Sequence, residues 1–149
     1  MKILFLRPSA PEETIGLQHL MIVEPLELEL LATLVEKEHE VIIIDLILEK
    51  QSAEYFIKKY MPDMVCITGY ITHTADMLKI SQKAKEINSK IIIVVGGVYI
   101  EKLPEKINSP FVDYRVVRNA LLEFPKLLNY IENRGEFPLG VLRIDEILD

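Results

Sequence analysis

With one cysteine, Cys66, in 149 residues, the chain by itself cannot form an intramolecular disulfide, a cysteine-rich zinc site or an iron–sulfur cluster. No apolar run approaches the roughly 18 residues of a membrane span. The apolar part of Met1-Lys2-Ile3-Leu4-Phe5-Leu6-Arg7-Pro8 is too short for a signal peptide. Basic residues are in deficit: the net charge is −6 and the pI near 5.2. Nucleic-acid binders usually concentrate Lys and Arg on one face, so this balance argues against a phosphate-backbone footprint. Repeats and low-complexity tracts are missing as well. These absences leave a soluble domain, expected in the cytoplasm, with no nucleic-acid or membrane partner.

What is present suits a single core. Half of the residues are hydrophobic and 27% are charged in a 17.2 kDa chain, which is the size and make-up of one domain. A chain this long buries roughly 70% of its unfolded surface and needs no metal or disulfide staple. Apolar runs occur at Ile3–Leu6, Val41–Ile44, Met64–Ile67 and Ile91–Val95, with a weaker one at Val112–Val117. Short β-branched runs without polar alternation predict strands buried on both faces of a parallel sheet. Helical spacing lies between them, at Leu26–Leu34 behind Pro25, Ala53–Tyr60, Thr74–Ile87, a short turn at Leu103–Ile107, and Leu121–Glu132. The expected fold is a three-layer α/β, flavodoxin-like (Rossmann-like) doubly wound sheet of five parallel strands, order 2-1-3-4-5. Residues 1–132 form the expected domain. Residues 133–149 form its exit, in which Leu139 to Asp149 add an edge strand or a short helix and lead on to a further domain.

In such a sheet ligands bind outside the carboxyl ends of the strands, where the winding reverses. That singles out the loops Pro8 to Glu24, Thr68 to Thr74, Gly96 to Glu101, and Arg118-Asn119. The first is about sixteen residues long, against two to six for a usual loop of this kind, and it opens with Pro8-Ser9. In Thr68-Gly69-Tyr70-Ile71-Thr72-His73-Thr74, hydroxyls and one imidazole cluster before a helix, and Thr72 or Thr74 is a candidate N-cap. Gly96-Gly97, followed by Val98-Tyr99, permits either a close approach of backbone to ligand or simply a tight turn. His73 sits on a ligand loop, His19 is open, and His39 reads as a surface residue of a charged turn. No metal site is expected.

Several functions fail on these residues. A phospho-accepting receiver needs acids after the first and third strands, where this chain has Arg7-Pro8 and Thr68-Gly69. A flavodoxin phosphate loop needs hydroxyls where Ser9-Ala10-Pro11-Glu12-Glu13 supplies prolines and acids. There is no G-x-G-x-x-G, P-loop or G-x-S-x-G. No catalytic residues are assigned, and catalysis by this chain alone is not expected.

Four segments carry a resemblance. Lys2 to Pro8 is similar to a first strand and proline. Pro25-Leu26-Glu27-Leu28-Glu29-Leu30-Leu31-Ala32 resembles a "P-x-G-L-x-x-L-A" helix. Ile92 to Tyr99, with Pro104-Glu105, resembles "vvvGGpH…PEe", and Val112 to Arg118 resembles "vDyvvrGEgE". In order and spacing they resemble the N-terminal cobalamin-binding domain of B12-dependent radical SAM proteins. That family includes methyltransferases and the anaerobic magnesium-protoporphyrin monomethyl ester cyclase group. The chain departs from the pattern at Asn119-Ala120-Leu121-Leu122, where the family has Gly-Glu-Gly-Glu, and at Val98-Tyr99, where Pro-His is common.

The resemblance implies a cobalamin-binding module. Its corrinoid would be held without the D-x-H-x-x-G histidine of the other cobalamin clan, because Leu17, Lys37 and Ile71 stand two residues before the three histidines. The nucleotide tail would enter a pocket between sheet and helices. Thr68, Thr72 and Thr74 would bond the tail or the corrin side chains, and Gly96-Gly97 would pack along the tail. Pro8, Ser9, Gly69, Tyr70, His73, Val98, Tyr99, Arg118 and Asn119 complete the expected cofactor site. The 4Fe–4S cluster and S-adenosylmethionine would belong to a radical SAM domain, in cis or in trans. Two other readings stay open: a flavodoxin-like domain for another nucleotide-type ligand, and an interaction domain with a decayed pocket. A cleft filled by Tyr70, Tyr99 or the Pro8 to Glu24 loop would favour the last.

Overall fold

The apolar runs become strands of one sheet, seen in a computed structural model that describes residues 1–9 and 24–144. The strands are β1 (Lys2–Arg7), β2 (Glu40–Asp45), β3 (Met64–Thr68), β4 (Ile92–Gly96), β5 (Tyr114–Val116) and β6 (Val141–Arg143). Their order is 2-1-3-4-5-6, and β1 to β5 pair in parallel. The expected order 2-1-3-4-5 is present, but the sheet has six strands rather than five. The sixth comes from the exit segment and pairs antiparallel to β5, with Tyr114 opposite Arg143 and Val116 opposite Val141. A three-residue strand carries too short an apolar pattern to be told from a helix turn by sequence.

Alternation along the strands divides the core. Leu4, Leu6, Val65, Ile67, Ile93 and Val95 face a layer built by the helices α2 (Ala53–Tyr60) and α3 (Thr74–Ile87). Ile3, Phe5, Met64, Cys66, Val94 and Val116 face α1 (Leu26–Val35) and α5 (Ala120–Ile131). Helix ends follow local chemistry. Ser52 accepts the Tyr55 N–H at 3.3 Å as the α2 N-cap. Lys58 and Lys59 lie in the last turn of α2, where the helix dipole favours cations. The chain then leaves through Met61 in the left-handed region and Pro62.

The short helical turn expected at Leu103–Ile107 is present as the 3-10 turn Pro104–Lys106, and a further helix, α4 (Val98–Lys102), starts directly after Gly97. Two local expectations are corrected. Neither Thr72 nor Thr74 caps α3: the Thr74 hydroxyl donates back to the Ile71 carbonyl at 2.9 Å. His39 is not a surface residue. It is 9% exposed, with Nδ1 held by the Met1 amine at 3.2 Å and Glu132 at 3.7 Å.

The exit segment is fastened at two points. Buried Glu123 accepts the Gly140 N–H at 2.9 Å and pairs with Lys126 at 2.9 Å. The lysine and the amide together hold its carboxyl below the usual range. Fully buried Arg115 donates from Nε to the Ile107 carbonyl at 2.8 Å and from Nη1 to the Arg143 carbonyl at 3.1 Å, tying β6 to the sheet.

Candidate functional site

The parallel register puts Phe5 of β1 beside Cys66 of β3, and Cys66 beside Val94 of β4. These residues share the α1/α5 face, and Val116 of β5 joins them near the carboxyl edge. The helices do not close over this row. A cleft of about 220 Å³ remains, with Phe5, Cys66, Val94 and Val116 on its floor, Leu28 and Leu31 of α1 on one wall, and Ala120 and Phe124 of α5 on the other. Phe5 and Phe124 meet at 5.6 Å between ring centroids. Burial pushes the Cys66 thiol well above its usual pKa, so the floor is neutral and unreactive.

The mouth mixes polar and apolar groups at the strand ends. Thr68 ends β3 and is followed by Gly69 and Tyr70, Gly96 ends β4 and is followed by Gly97 and Val98, and Glu27 and Glu101 stand at the rim. Gly97 has φ +111, and an added Cβ would lie 3.0 Å from Thr68 Oγ1 and 3.1 Å from the Gly69 carbonyl. Glycine is therefore what lets the β4–α4 turn approach the β3–α3 turn and launch α4. Gly96 is ordinary by comparison, its nearest Cβ neighbour being 3.7 Å away.

Of the site residues expected from sequence, Thr68, Gly69, Tyr70, Gly96, Gly97 and Val98 line this cleft. The others lie elsewhere. Tyr99 packs with the α2/α3 layer, and Pro8 and Ser9 line a separate groove beside Ser52 and Lys79. Thr72 is exposed, and Thr74 is engaged at the start of α3. Arg118 and Asn119 are exposed just before α5, where Asn119 adopts φ 39, ψ 66. That is the left-handed conformation which glycine takes freely and asparagine tolerates best among other residues, so Asn suits the turn at this position.

His73 is 7% exposed, and its Nδ1 accepts the Tyr70 backbone N–H at 3.0 Å. Burial lowers its pKa against the pull of Asp76, which favours the neutral acceptor. The rest of the Pro8 to Glu24 loop, His19 included, lies outside the described residues apart from its ends. Sequence reading missed Phe5, Glu27, Leu28, Leu31, Cys66, Ile67, Val94, Glu101, Val116, Ala120 and Phe124. The available signal was the strand alternation that puts Phe5, Cys66, Val94 and Val116 on one face. No group of three or more His, Cys, Asp or Glu among the described residues is arranged to hold a metal ion, and no described helix is long and apolar enough to cross a membrane.

Comparison with known proteins places this geometry. Residues 14–128 match the B12 binding domain family. Over 150 aligned positions the chain is 32% identical to the uncharacterized methyltransferase PH0819 of Pyrococcus horikoshii, covering 95% of this chain and 32% of that protein. Among solved structures, the cobalamin-dependent S-adenosylmethionine radical enzyme OxsB with aqua-cobalamin and S-adenosylmethionine bound has the same fold. It matches with TM-score 0.75 and 16% identity over 97% of this chain and 21% of the OxsB chain. The apo form of OxsB matches with TM-score 0.67 and 15% identity over 94% of this chain and 20% of that chain. The chain thus spans about a third of its curated relative and about a fifth of OxsB.

Proposed function

The chain belongs to the B12 binding domain family, and from that premise we propose that it is the corrinoid-holding module of a radical SAM system. The observation that carries the proposal is the open cleft at the carboxyl edge of β1, β3, β4 and β5. A decayed pocket would be filled by its own side chains. Among the described residues nothing fills it: Tyr99 packs on the opposite face and Tyr70 stands at the mouth, 62% exposed, while the Pro8 to Glu24 loop lies outside the described residues apart from its ends.

The residues present fit the cofactor's nucleotide tail. The cleft is mostly apolar and lined by two phenyl rings in contact, which suits an aromatic base. Its volume of about 220 Å³ lies below the roughly 300–1,000 Å³ of common ligand pockets, so the macrocycle would lie outside the mouth. Phe5, Cys66, Val94, Val116 and Phe124 would enclose the base. Gly97 would let backbone approach the tail, and the Thr68 hydroxyl is the polar group beside it. Cobalt chemistry, methyl or electron carriage, is supplied by the bound corrinoid itself; the chain's part is to position and shield it.

Neither described histidine supplies a cobalt ligand in this reading. His39 precedes β2, at the opposite edge of the sheet, and His73 is used inside its own turn. Residues 1–132 would be the module's main body, the exit segment continuing its sheet. A radical SAM domain would carry the 4Fe–4S cluster and S-adenosylmethionine, in cis in the longer relatives' manner or in trans.

The test is anaerobic incubation with hydroxocobalamin, desalting and a visible spectrum, run beside Cys66→Leu. The wild-type chain should retain about one corrinoid with a base-off spectrum. Cys66→Leu fills the cleft floor and should weaken retention more than about tenfold while the thermal transition persists. A colourless wild-type protein, or full retention by Cys66→Leu, overturns the assignment of the cleft.

A further inference from the structure

We infer that Tyr70 is the corrinoid-contacting residue at the cleft mouth and that the buried His73 is the positioning residue that fixes it there. The inference rests on the corrinoid reading above. Of the three aromatic residues that line the cleft among the described residues, Phe5 and Phe124 are buried, whereas Tyr70 presents 62% of its surface to solvent. Val98, which shares the cleft lining, and Ile71, next in the chain, are 63% exposed each. Apolar surface gathered at a cleft mouth is surface that a ligand there would cover. Among the described residues the other rim side chains are the carboxylates of Glu27 and Glu101, the Thr68 hydroxyl and the aliphatic Val98, none of them aromatic. The ring is the aromatic face that the described rim offers to the flat face of a macrocycle.

The ring's backbone is held more firmly than its exposure suggests. The Tyr70 N–H donates to His73 Nδ1 at 3.0 Å, and the His73 N–H donates to the Tyr70 carbonyl at 2.9 Å. Thr74 Oγ1 closes the same turn by donating to the Ile71 carbonyl at 2.9 Å. Gly69 leaves no gap above the imidazole, since a Cβ there would lie 2.9 Å from both His73 Cβ and Met77 Sδ. The imidazole and phenol rings are 6.0 Å apart, centroid to centroid. His73 thus acts through Tyr70 rather than on the ligand.

The experiment is a spectral titration of the full chain with hydroxocobalamin, comparing Tyr70→Ala, Tyr70→Phe, His73→Ala and the double variant Tyr70→Ala/His73→Ala. Amide hydrogen exchange at Tyr70 is followed in the corrinoid-free protein. Tyr70→Ala should weaken binding about tenfold, the scale of one aromatic contact, and Tyr70→Phe should bind as wild type. His73→Ala should speed exchange of the Tyr70 amide and weaken binding several-fold, with no further loss when Tyr70 is already alanine. His73→Asn, which keeps an acceptor, replaces His73→Ala if that variant does not fold. Wild-type affinity in Tyr70→Ala overturns the inference and leaves the cleft assignment standing. An equal loss from His73→Ala in both backgrounds refutes the positioning role. A wild-type chain that takes up no corrinoid overturns the functional reading and this inference together.

Discussion

Replacing Gly97 by alanine separates a glycine required by conformation from one that is merely adjacent. Gly97 holds φ +111, ψ 169, a region essentially confined to glycine and costing other residues of order 1–3 kcal/mol. The new Cβ would also meet the Gly69 carbonyl oxygen at 3.1 Å and Thr68 Oγ1 at 3.0 Å, so a backbone atom must move. Alanine restricts the unfolded chain and returns about 0.4–1 kcal/mol where the native conformation allows it, so the net loss is about 1–2 kcal/mol. For a domain of this size that lowers the melting temperature by about 2–8 °C. Gly96→Ala is the control: its Cβ would meet Val116 Cβ at 3.7 Å, ordinary contact, and the change should stay within about 0.5 kcal/mol. Urea unfolding at constant slope measures both. Equal midpoints for the two variants would refute the argument that the β4–α4 turn demands positive φ.

Stability should fall with pH below neutrality through His73 and His39. Burial lowers both values below the usual 6.5, against Asp76 and Glu132 respectively, so the unfolded chain takes up protons first. The contribution is present above pH 6.5 and is lost as pH falls through the folded values. The urea midpoint should therefore drop from pH 7.5 to pH 5, and His73→Asn should shrink the drop; a flat profile would contradict it. Glu123→Ala removes the acceptor of the Gly140 N–H and the partner of Lys126. It should cost about 1–2 kcal/mol and speed amide exchange at Gly140 and in β6, whereas Glu123→Gln, which keeps an acceptor, should spare most of the exchange protection.

Much of the architecture was legible because its causes are local. Runs such as Met64–Ile67 and Ile91–Val95 are too uniformly apolar for an amphipathic helix and too short for a long one. Given five βα steps, right-handed crossovers leave few sheet orders. The same rule put the ligand edge at the loops after β1, β3 and β4, and six of the expected site residues line the cleft found there. Asn119 shows a subtler point: where the resembled pattern has glycine, asparagine takes up a left-handed backbone that it tolerates better than most residues.

Tertiary structure alone decided the rest, because the deciding contacts join residues far apart in sequence. The cleft floor depends on the register that sets Phe5 beside Cys66 and Cys66 beside Val94, strands 61 and 28 residues apart by their pairing. Helix α4 begins at Val98 because Gly97 can turn through positive φ against Gly69, and five residues are too few to show a period. His73 read as a ligand candidate only while its surroundings were unknown; Gly69 and Met77 enclose it, and burial converts it into an acceptor within its own turn. Strand β6 exists through its pairing with β5 and the hold of Glu123 and Arg115. Composition and pattern determined which segments are buried and which edge is open, and packing determined which side chains meet there.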